Sequence, residues 1–146
     1  MTQKDTELLL KDLCARLPYG VKICAAFNGE LYDEELQIVN TSAMLGDYGP
    51  VPVVNSVEDD INDGVVLTNI KPYLFPLSSM TEEQKYNCPI GVANLETFIK
   101  NESWTYLELT PDSILRFVDW LNKNYFDYRG LIEKGLAIDA TGLNIY

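Results

Sequence analysis

The residues with the clearest chemical potential are the acids of a short central run, Glu58 to Gly64. Carboxylates this close together could hold a divalent cation and support metal-assisted hydrolysis. The spacing fails the EF-hand pattern, because Gly64 comes one residue late and Ile61 occupies a ligand position. We therefore interpret the run as an acidic turn and predict no metal site and no cofactor. A small metal-dependent enzyme built on carboxylates stays open as an alternative, with Asp47, Asp59, Asp60 and Asp63 as its candidate residues.

The sequence contains no histidine. Its absence removes Ser-His-Asp and Cys-His catalysis, the usual zinc ligands and the commonest proton shuttle near neutral pH. The 3 cysteines, Cys14, Cys24 and Cys88, show no CxxC spacing and fit reduced thiols in a cytoplasm better than a disulfide framework. Nothing basic neighbours Cys88 in sequence to activate it as a nucleophile. We predict a protein that is not an enzyme.

The chain carries a net charge of −11, from 22 acidic and 11 basic side chains. Binding to a nucleic-acid backbone requires Lys and Arg to replace counterions, so we expect no direct nucleic-acid binding. The same charge disfavours an anionic membrane surface. The apolar run Leu8 to Leu10 is too short for a signal peptide or a membrane span. With 146 residues, we expect a single domain, 1–146, located in the cytoplasm.

Aromatic and cationic side chains are the candidate binding residues. Trp120, Tyr128 and Arg129 cluster at a predicted joint between two helices, and Tyr and Arg are typical interface anchors. Lys71 and Tyr73 lie in a proline-rich strip. A competing interpretation is that the aromatics at the joint form core, with Arg129 stacked on one of them or paired with an acid. Both interpretations stay open at the level of sequence.

The element that must position the joint is a helix over residues 111–124. Thr110 is a good N-cap and Pro111 suits the first helical position. A buried stripe at helical spacing comprises Ile114, Phe117, Val118 and Leu121. A second, shorter helix is predicted after the joint, capped by Asp127 and ended by Gly135.

The N-terminal part predicts a helix over Thr2–Leu17 and a β-hairpin. Leu9, Leu10, Leu13, Cys14 and Leu17 form the apolar stripe of the helix, while the charged residues, including Asp12 and Arg16, lie elsewhere. A strand over Val21–Phe27 leads into Asn28-Gly29, a strong hairpin signal. The return strand begins at Glu30 and is interrupted at 33–35.

The remaining segments have weaker signals. We predict a loop over Asn40–Pro52, a strand over Val65–Ile70, an extended strip over Lys71–Pro76, short helices capped by Thr81 and Asn94, a strand or extended lead at 104–109, and an edge strand or frayed end over Ile138–Tyr146. The strip should pack across the sheet or the C-terminal helices; an exposed docking strip is the alternative. Together these elements predict an α+β fold: a small antiparallel sheet, interpreted as a curled, SH3-like partial barrel, packed against the N-terminal helix and the C-terminal helices.

Three stretches carry a resemblance to a known group of proteins. Asp12–Gly20 (DLCARLPYG), Ile70–Glu83 (IKPYLFPLSSMTEE) and Phe126–Ala137 (FDYRGLIEKGLA) resemble small uncharacterised proteins of phages and prophages of gut Bacteroidetes. The resemblance covers about a third of the chain and does not extend to 40–64. It implies a mobile-element accessory protein in the cytoplasm of a bacterial host and assigns no catalytic residue.

These observations predict a non-catalytic binding protein. It would dock on a host protein or sequester a small ligand, and the phage setting suggests a counter-defence role. The candidate binding residues are Lys71, Tyr73, Trp120, Tyr128 and Arg129. Besides the carboxylate enzyme, the remaining alternative is a structural or assembly homo-oligomer that uses the proline-rich strip.

Overall fold

The computed structural model describes residues 1–27, 30–35, 70–101, 107 and 109–146. Helices and a small mixed sheet alternate along these ranges, which confirms the α+β prediction. The elements are α1 (Gln3–Arg16), β1 (Lys22–Phe27), β2 (Glu30–Glu35), β3 (Ile70–Pro76), α2 (Glu82–Tyr86), α3 (Val92–Asn101), α4 (Pro111–Lys123), β4 (Phe126–Asp127) and β5 (Ile138–Asp139). In these ranges no helix has the length and apolar content needed to cross a bilayer.

Helix α1 forms as predicted, but two side chains on its supposed polar side are buried. Thr2 is the N-cap and forms a capping box with Asp5. Cys14 is exposed, although the apolar stripe was predicted to include it. Asp12 and Arg16, predicted to lie away from the stripe, are completely buried beside Leu13. The helical periodicity therefore predicted the wrong location for both side chains. Charged side chains can be buried in a core when each has an oppositely charged partner there.

Strands β1 and β2 form an antiparallel hairpin, as predicted. Their register runs from Lys22 opposite Glu35 to Phe27 opposite Glu30, and the turn residues 28–29 lie outside the described ranges. The predicted interruption at 33–35 is wrong. Each of those residues pairs with a residue of β1, so the ladder continues through the acidic run.

The proline-rich strip is itself a strand, β3, in the middle of the sheet. It pairs antiparallel with β1 through Ile70–Pro72 and parallel with β5 and β4 through residues 73–76. The strip therefore lies within the sheet and not across it, whereas Phe75 does pack against the cluster that contains Phe117 and Leu121 of the C-terminal helix, the other predicted outcome. The extended backbone that the prolines impose is the conformation a strand requires. The sheet is mixed rather than purely antiparallel, and its strand order, β2-β1-β3-β4 with β5 on β3, does not close into an SH3-like barrel.

Helix α4 confirms its predicted cap and stripe, but the second helix after it does not form. Thr110 accepts a hydrogen bond from the Ser113 amide, and Phe117 and Leu121 are fully buried. Beyond α4, Tyr125 adopts a positive φ of 59° and turns the chain. Pairing with β3 then draws Phe126–Asp127 into a strand, and residues 131–135 form turns.

The short helices between β3 and α4 differ slightly from prediction. Thr81 and Gln84 form the predicted capping box of α2. Helix α3 begins at Val92, so Asn94 is not its cap; the Asn94 side-chain amide donates to the Ile90 carbonyl. The remaining end segment forms the short strand β5, one of its two predicted outcomes. The predictions for 36–69, 102–106 and 108 lie outside the described ranges.

Two apolar clusters form most of the core. The first joins α1 to the sheet and to the turns after β4, through Leu9, Leu13, Val21, Ile23, Ile70, Leu74, Leu131, Leu136 and Ala137. The second joins α3 to α4 and β4, through Met80, Cys88, Ile90, Leu95, Phe98, Phe117, Leu121 and Phe126. The segment after α4 contributes to both clusters and meets α1 where they adjoin.

Candidate functional site

The structure brings three of the five predicted binding residues to one place. Trp120 and Tyr128 pack, half-buried, against the second core cluster, and Arg129 lies over the Tyr128 ring. Tyr73 belongs to another small cluster, with Cys24 and Ala140. Lys71 is exposed on β3, opposite Cys24 in the strand register. The corner after α4 is therefore the candidate site, and β3 contributes neither of its predicted residues to it.

A buried ion pair underlies this corner. The Arg16 guanidinium donates from Nε to Asp12 Oδ2 at 2.7 Å and from Nη2 to Asp12 Oδ1 at 3.1 Å. Nη2 also donates to the Phe126 carbonyl oxygen at 2.7 Å, so the pair ties α1 to β4. Both side chains have an exposed fraction of 0%. Sequence reasoning missed both residues, because it assigned them to the outer face of the helix.

Arg129 completes the corner from the other side. Its Nε lies 3.6 Å from Asp12 Oδ1, and its Nη2 donates to the Tyr128 hydroxyl at 2.8 Å. The guanidinium carbon lies 5.0 Å from the Tyr128 ring centroid, within cation–π range, and that of Arg16 lies 5.6 Å away. The Tyr128 hydroxyl in turn donates a hydrogen bond to Asn122 Oδ1 at 3.1 Å. We call Asp12, Arg16, Tyr128 and Arg129 the guanidinium corner.

The guanidinium corner contains more positive than negative charge. Two guanidinium groups face the single carboxylate of Asp12. Nearby Asp127 directs its oxygens to the backbone amides of Leu131 and Ile132, at 3.0 Å and 2.8 Å, so it closes the turn after β4. Among the residues that the structure describes, no hydrogen-bond acceptor lies at the buried Nη1 of Arg16. An unsatisfied buried donor is costly, and the Arg16 side chain has no exposed surface through which a partner could reach it.

Trp120 shows that the aromatic joint is partly core. Its indole stacks on Phe126, with centroids 5.6 Å apart, and on Phe117, 6.2 Å apart. The Phe117 and Phe126 rings are buried, whereas Trp120, Tyr128 and Arg129 keep part of their surface exposed. Arg129 both stacks on an aromatic ring and lies beside an acid, as the core interpretation anticipated.

Tyr73 is a buried structural residue. Its hydroxyl donates to Asp33 Oδ1 at 2.5 Å, which links β3 to β2 across the hairpin. Burial first, and then the Asp33 hydrogen bond, raise the pKa of Tyr73 well above its usual range. The Tyr73 hydroxyl is therefore engaged within the sheet.

The remaining chemically interesting groups lie elsewhere. Cys88 is buried, and burial raises the pKa of its thiol. A raised pKa disfavours the thiolate, which is the nucleophilic form of cysteine. Among the residues that the structure describes, no three acids or cysteines come together as metal ligands would. Asp47 and the acidic run Glu58–Gly64 lie outside those residues, so the carboxylate-enzyme alternative concerns a part of the chain not described.

No protein-family model matches the chain, and neither a curated protein nor a solved structure resembles it significantly. One sequence signal does coincide with the guanidinium corner. Two of the stretches quoted for the phage-protein resemblance, Asp12–Gly20 and Phe126–Ala137, supply all four of its residues. Each stretch contributes one guanidinium, and they meet around the Asp12 carboxylate.

Proposed function

We propose that this chain is a non-catalytic binding protein that docks on a partner protein through the guanidinium corner. The recognised group is a single carboxylate on the partner, flanked by apolar residues. The observation that carries the proposal is the state of Arg129: its side chain is 23% exposed, yet Tyr128 and Asp12 hold it in place.

Fixation before binding favours Arg129 as an anchor. An arginine that is already oriented loses less conformational freedom when it binds, so more of the interaction energy appears as affinity. Guanidinium groups also match carboxylates in a planar, two-pronged geometry. The contacts of Arg129 to its neighbours within the described ranges use Nε and Nη2, which leaves Nη1 as the donor for a partner.

The charges support a carboxylate as the occupant. The corner has two guanidinium groups for one facing carboxylate, and one of the two, that of Arg129, is partly exposed. The chain as a whole carries −11, which repels long polyanions such as nucleic acids. A single acid delivered by an apolar segment meets the local positive charge with little of that repulsion.

The resemblance to phage and prophage proteins supports the setting. Under this proposal the protein acts in the cytoplasm of a bacterial host, and the partner is a host protein whose action the phage benefits from blocking. Sequestration of a small anionic ligand at the same corner is the second form of the proposal, favoured by the same excess of two guanidinium groups over one carboxylate.

The test is selection of a random 12-residue peptide library on the wild-type protein. We expect enriched peptides to share one Asp or Glu beside apolar residues. Their affinity should fall at least tenfold for Arg129→Ala and also for Arg129→Lys, because the ammonium lacks the planar fork. Arg116→Ala is the matched control, because Arg116 is also an arginine paired with an acid, and its side chain is 73% exposed.

Two outcomes would contradict the proposal. Selected peptides that bind Arg129→Ala as tightly as wild type would place the docking surface elsewhere. The second outcome has two parts: no peptide is enriched, and citrate, phosphate or a nucleotide raises the melting temperature of the wild type but not of Arg129→Ala. This result would replace protein docking with ligand capture. Light scattering of the purified protein separates both from a homo-oligomer.

A further inference from the structure

Residues 141–146 begin with a local turn after β5 and return to the fold at their last two residues. In the turn, the Thr141 amide donates to Asp139 Oδ1 at 2.8 Å and the Leu143 amide donates to the Ala140 carbonyl at 3.0 Å. Ala140 is completely buried, and its amide donates to the Leu74 carbonyl at 2.8 Å. The next four residues, 141–144, are exposed. Ile145 then packs, half-buried, against the small cluster around Cys24 and Tyr73. The segment is thus held at its far end, by Ile145 and Tyr146.

Tyr146 is 41% exposed as a residue, but its ring and its hydroxyl both have partners in a slot on the sheet. The ring stacks on Tyr125 with centroids 3.9 Å apart and planes 12° apart, and Phe75 lies at 5.9 Å. The hydroxyl accepts a hydrogen bond from the Lys22 amide at 3.1 Å and donates one to the Tyr73 carbonyl at 2.8 Å. Burial raises the pKa of Tyr146, so the phenol keeps the proton that it donates.

The hydroxyl occupies a gap in the sheet. The β1–β3 ladder pairs Ile23 with Pro72, and the next pair in that register would be Lys22 with Tyr73. The Tyr146 hydroxyl bridges the backbone groups of those two residues. Phenylalanine would leave a donor and an acceptor unpaired, so the slot distinguishes tyrosine by its oxygen.

The wall of the slot is built on an unfavourable backbone conformation. Tyr125 is the one non-glycine residue with positive φ in the described part of the chain, at 59°. That conformation costs a bulky side chain free energy, and such residues concentrate at ligand-binding places. Surrounding bonds hold it: its carbonyl accepts from the Phe75 amide at 2.9 Å, and its hydroxyl donates to the Tyr19 carbonyl.

We infer that residues 141–146 form a releasable strap and that the slot between Tyr125, Lys22 and Tyr73 is a tyrosine-binding site, which the strap fills and keeps closed. Tyr146 is then a ligand on a short tether rather than a fixed part of the core. A four-residue exposed tether gives a high effective concentration, so the slot stays closed until a competing tyrosine displaces the strap. This site adjoins the guanidinium corner, since the charge of Arg16 acts on the Tyr146 phenol, but the inference does not depend on the role of that corner.

The first experiment measures binding of the strap, as a separate peptide, to a chain that lacks it. A chain ending at Ala140 is titrated with the amidated peptide Thr-Gly-Leu-Asn-Ile-Tyr, and backbone amides are followed by NMR. We expect a saturable shift of the Lys22 amide and binding roughly tenfold weaker for the peptide ending in Phe, since two hydrogen bonds are lost. Full-length protein should not respond. A folded shortened chain without a Lys22 shift, or equal binding of both peptides, would overturn the inference.

The second experiment uses the intact chain and covers the case in which the shortened chain does not fold. Hydrogen exchange is measured for the Lys22 amide, bonded to the strap, and the Ala140 amide, bonded to Leu74. We expect Lys22 to exchange through a local opening that hardly depends on denaturant, and Ala140 through global unfolding. The Tyr146→Phe variant should speed exchange at Lys22 alone. Identical denaturant dependence at both amides would show that the strap does not lift separately.

Discussion

Asp12 and Arg16 form a two-point ion pair that is entirely shielded from solvent, four residues apart on α1. Asp112 and Arg116 have the same residue types and the same separation on α4, yet their side chains are 70% and 73% exposed. The two pairs are indistinguishable by spacing. They differ in their surroundings. The first pair is in contact with Phe126, Tyr128 and Arg129, whereas the second pair is exposed to solvent.

Loss of the Asp12 carboxylate should destabilise the fold severely. In Asp12→Ala the Arg16 guanidinium stays buried without its counter-charge, and breaking a buried pair in this way costs about 3–5 kcal/mol. Arg116→Ala should cost less than about 1 kcal/mol, because exposed pairs contribute little. Urea unfolding of the two variants beside wild type measures the difference. Equal losses would mean that the buried pair is not anchoring α1.

Gly135 should resist replacement for reasons of backbone alone. Its φ is +68°, and an added Cβ would meet nothing within 4 Å. The left-handed conformation costs an L-residue about 1–2 kcal/mol, so Gly135→Ala should lower the free energy of unfolding by that amount. Gly135→Asn should lose less, since Asn tolerates this region. If Ala and Asn prove equally harmful, side-chain crowding rather than backbone conformation sets the cost.

The free energy of unfolding should fall as pH rises above about 10, the ordinary pKa of tyrosine. Burial and the Asp33 hydrogen bond raise the pKa of Tyr73 in the folded protein, so the unfolded chain loses this proton first and is favoured by alkali. One such group contributes a slope of up to about 1.4 kcal/mol per pH unit. Urea titrations at pH 9, 10 and 11 should show a shallower decline for Tyr73→Phe; an unchanged slope would assign the effect to other groups.

The thiols should divide into one reactive and two protected groups. Cys14 is exposed on α1, whereas Cys24 and Cys88 are buried. With Ellman's reagent we expect one fast equivalent from the folded protein and the rest only after unfolding, since burial also raises the pKa of Cys88. Cys14→Ser should remove the fast phase. A fast phase that persists in that variant would show that the strand or loop thiol is accessible.

Local signals in the sequence predicted the elements whose conformation is decided within a few residues. The Thr81 and Thr110 caps, the α4 stripe and the β1–β2 hairpin all form. Predictions failed where a distant strand decides the conformation. Asp127 keeps its capping hydrogen bonds, but pairing with β3 makes its own backbone a strand. The proline strip likewise became a central strand because partners from both sides of the sequence pair with it.

The site was predictable only in part, for a related reason. Tyr128 and Arg129 could be proposed from residue type and their place at the joint. Asp12 and Arg16 could not be proposed. Helical periodicity predicts the face on which a side chain lies, but it does not predict which distant segment, here one 110 residues away, packs against that face. The bond from Arg16 to the Phe126 carbonyl depends on that long-range approach. Tyr73 is an anchor residue by type, but its ring is buried and its hydroxyl is bonded to Asp33 within the sheet, so it has a structural role.

The separation of α1 from its partners has a consequence for biosynthesis. Arg16 and the Phe126 carbonyl that it contacts lie 110 positions apart, and Leu9 and Leu13 pack on Leu131 and Leu136. A ribosome therefore releases the N-terminal helix, with its apolar stripe and its guanidinium, long before translation supplies their neighbours. Until residues 126–139 emerge, the nascent chain exposes surface that chaperones bind and that promotes aggregation.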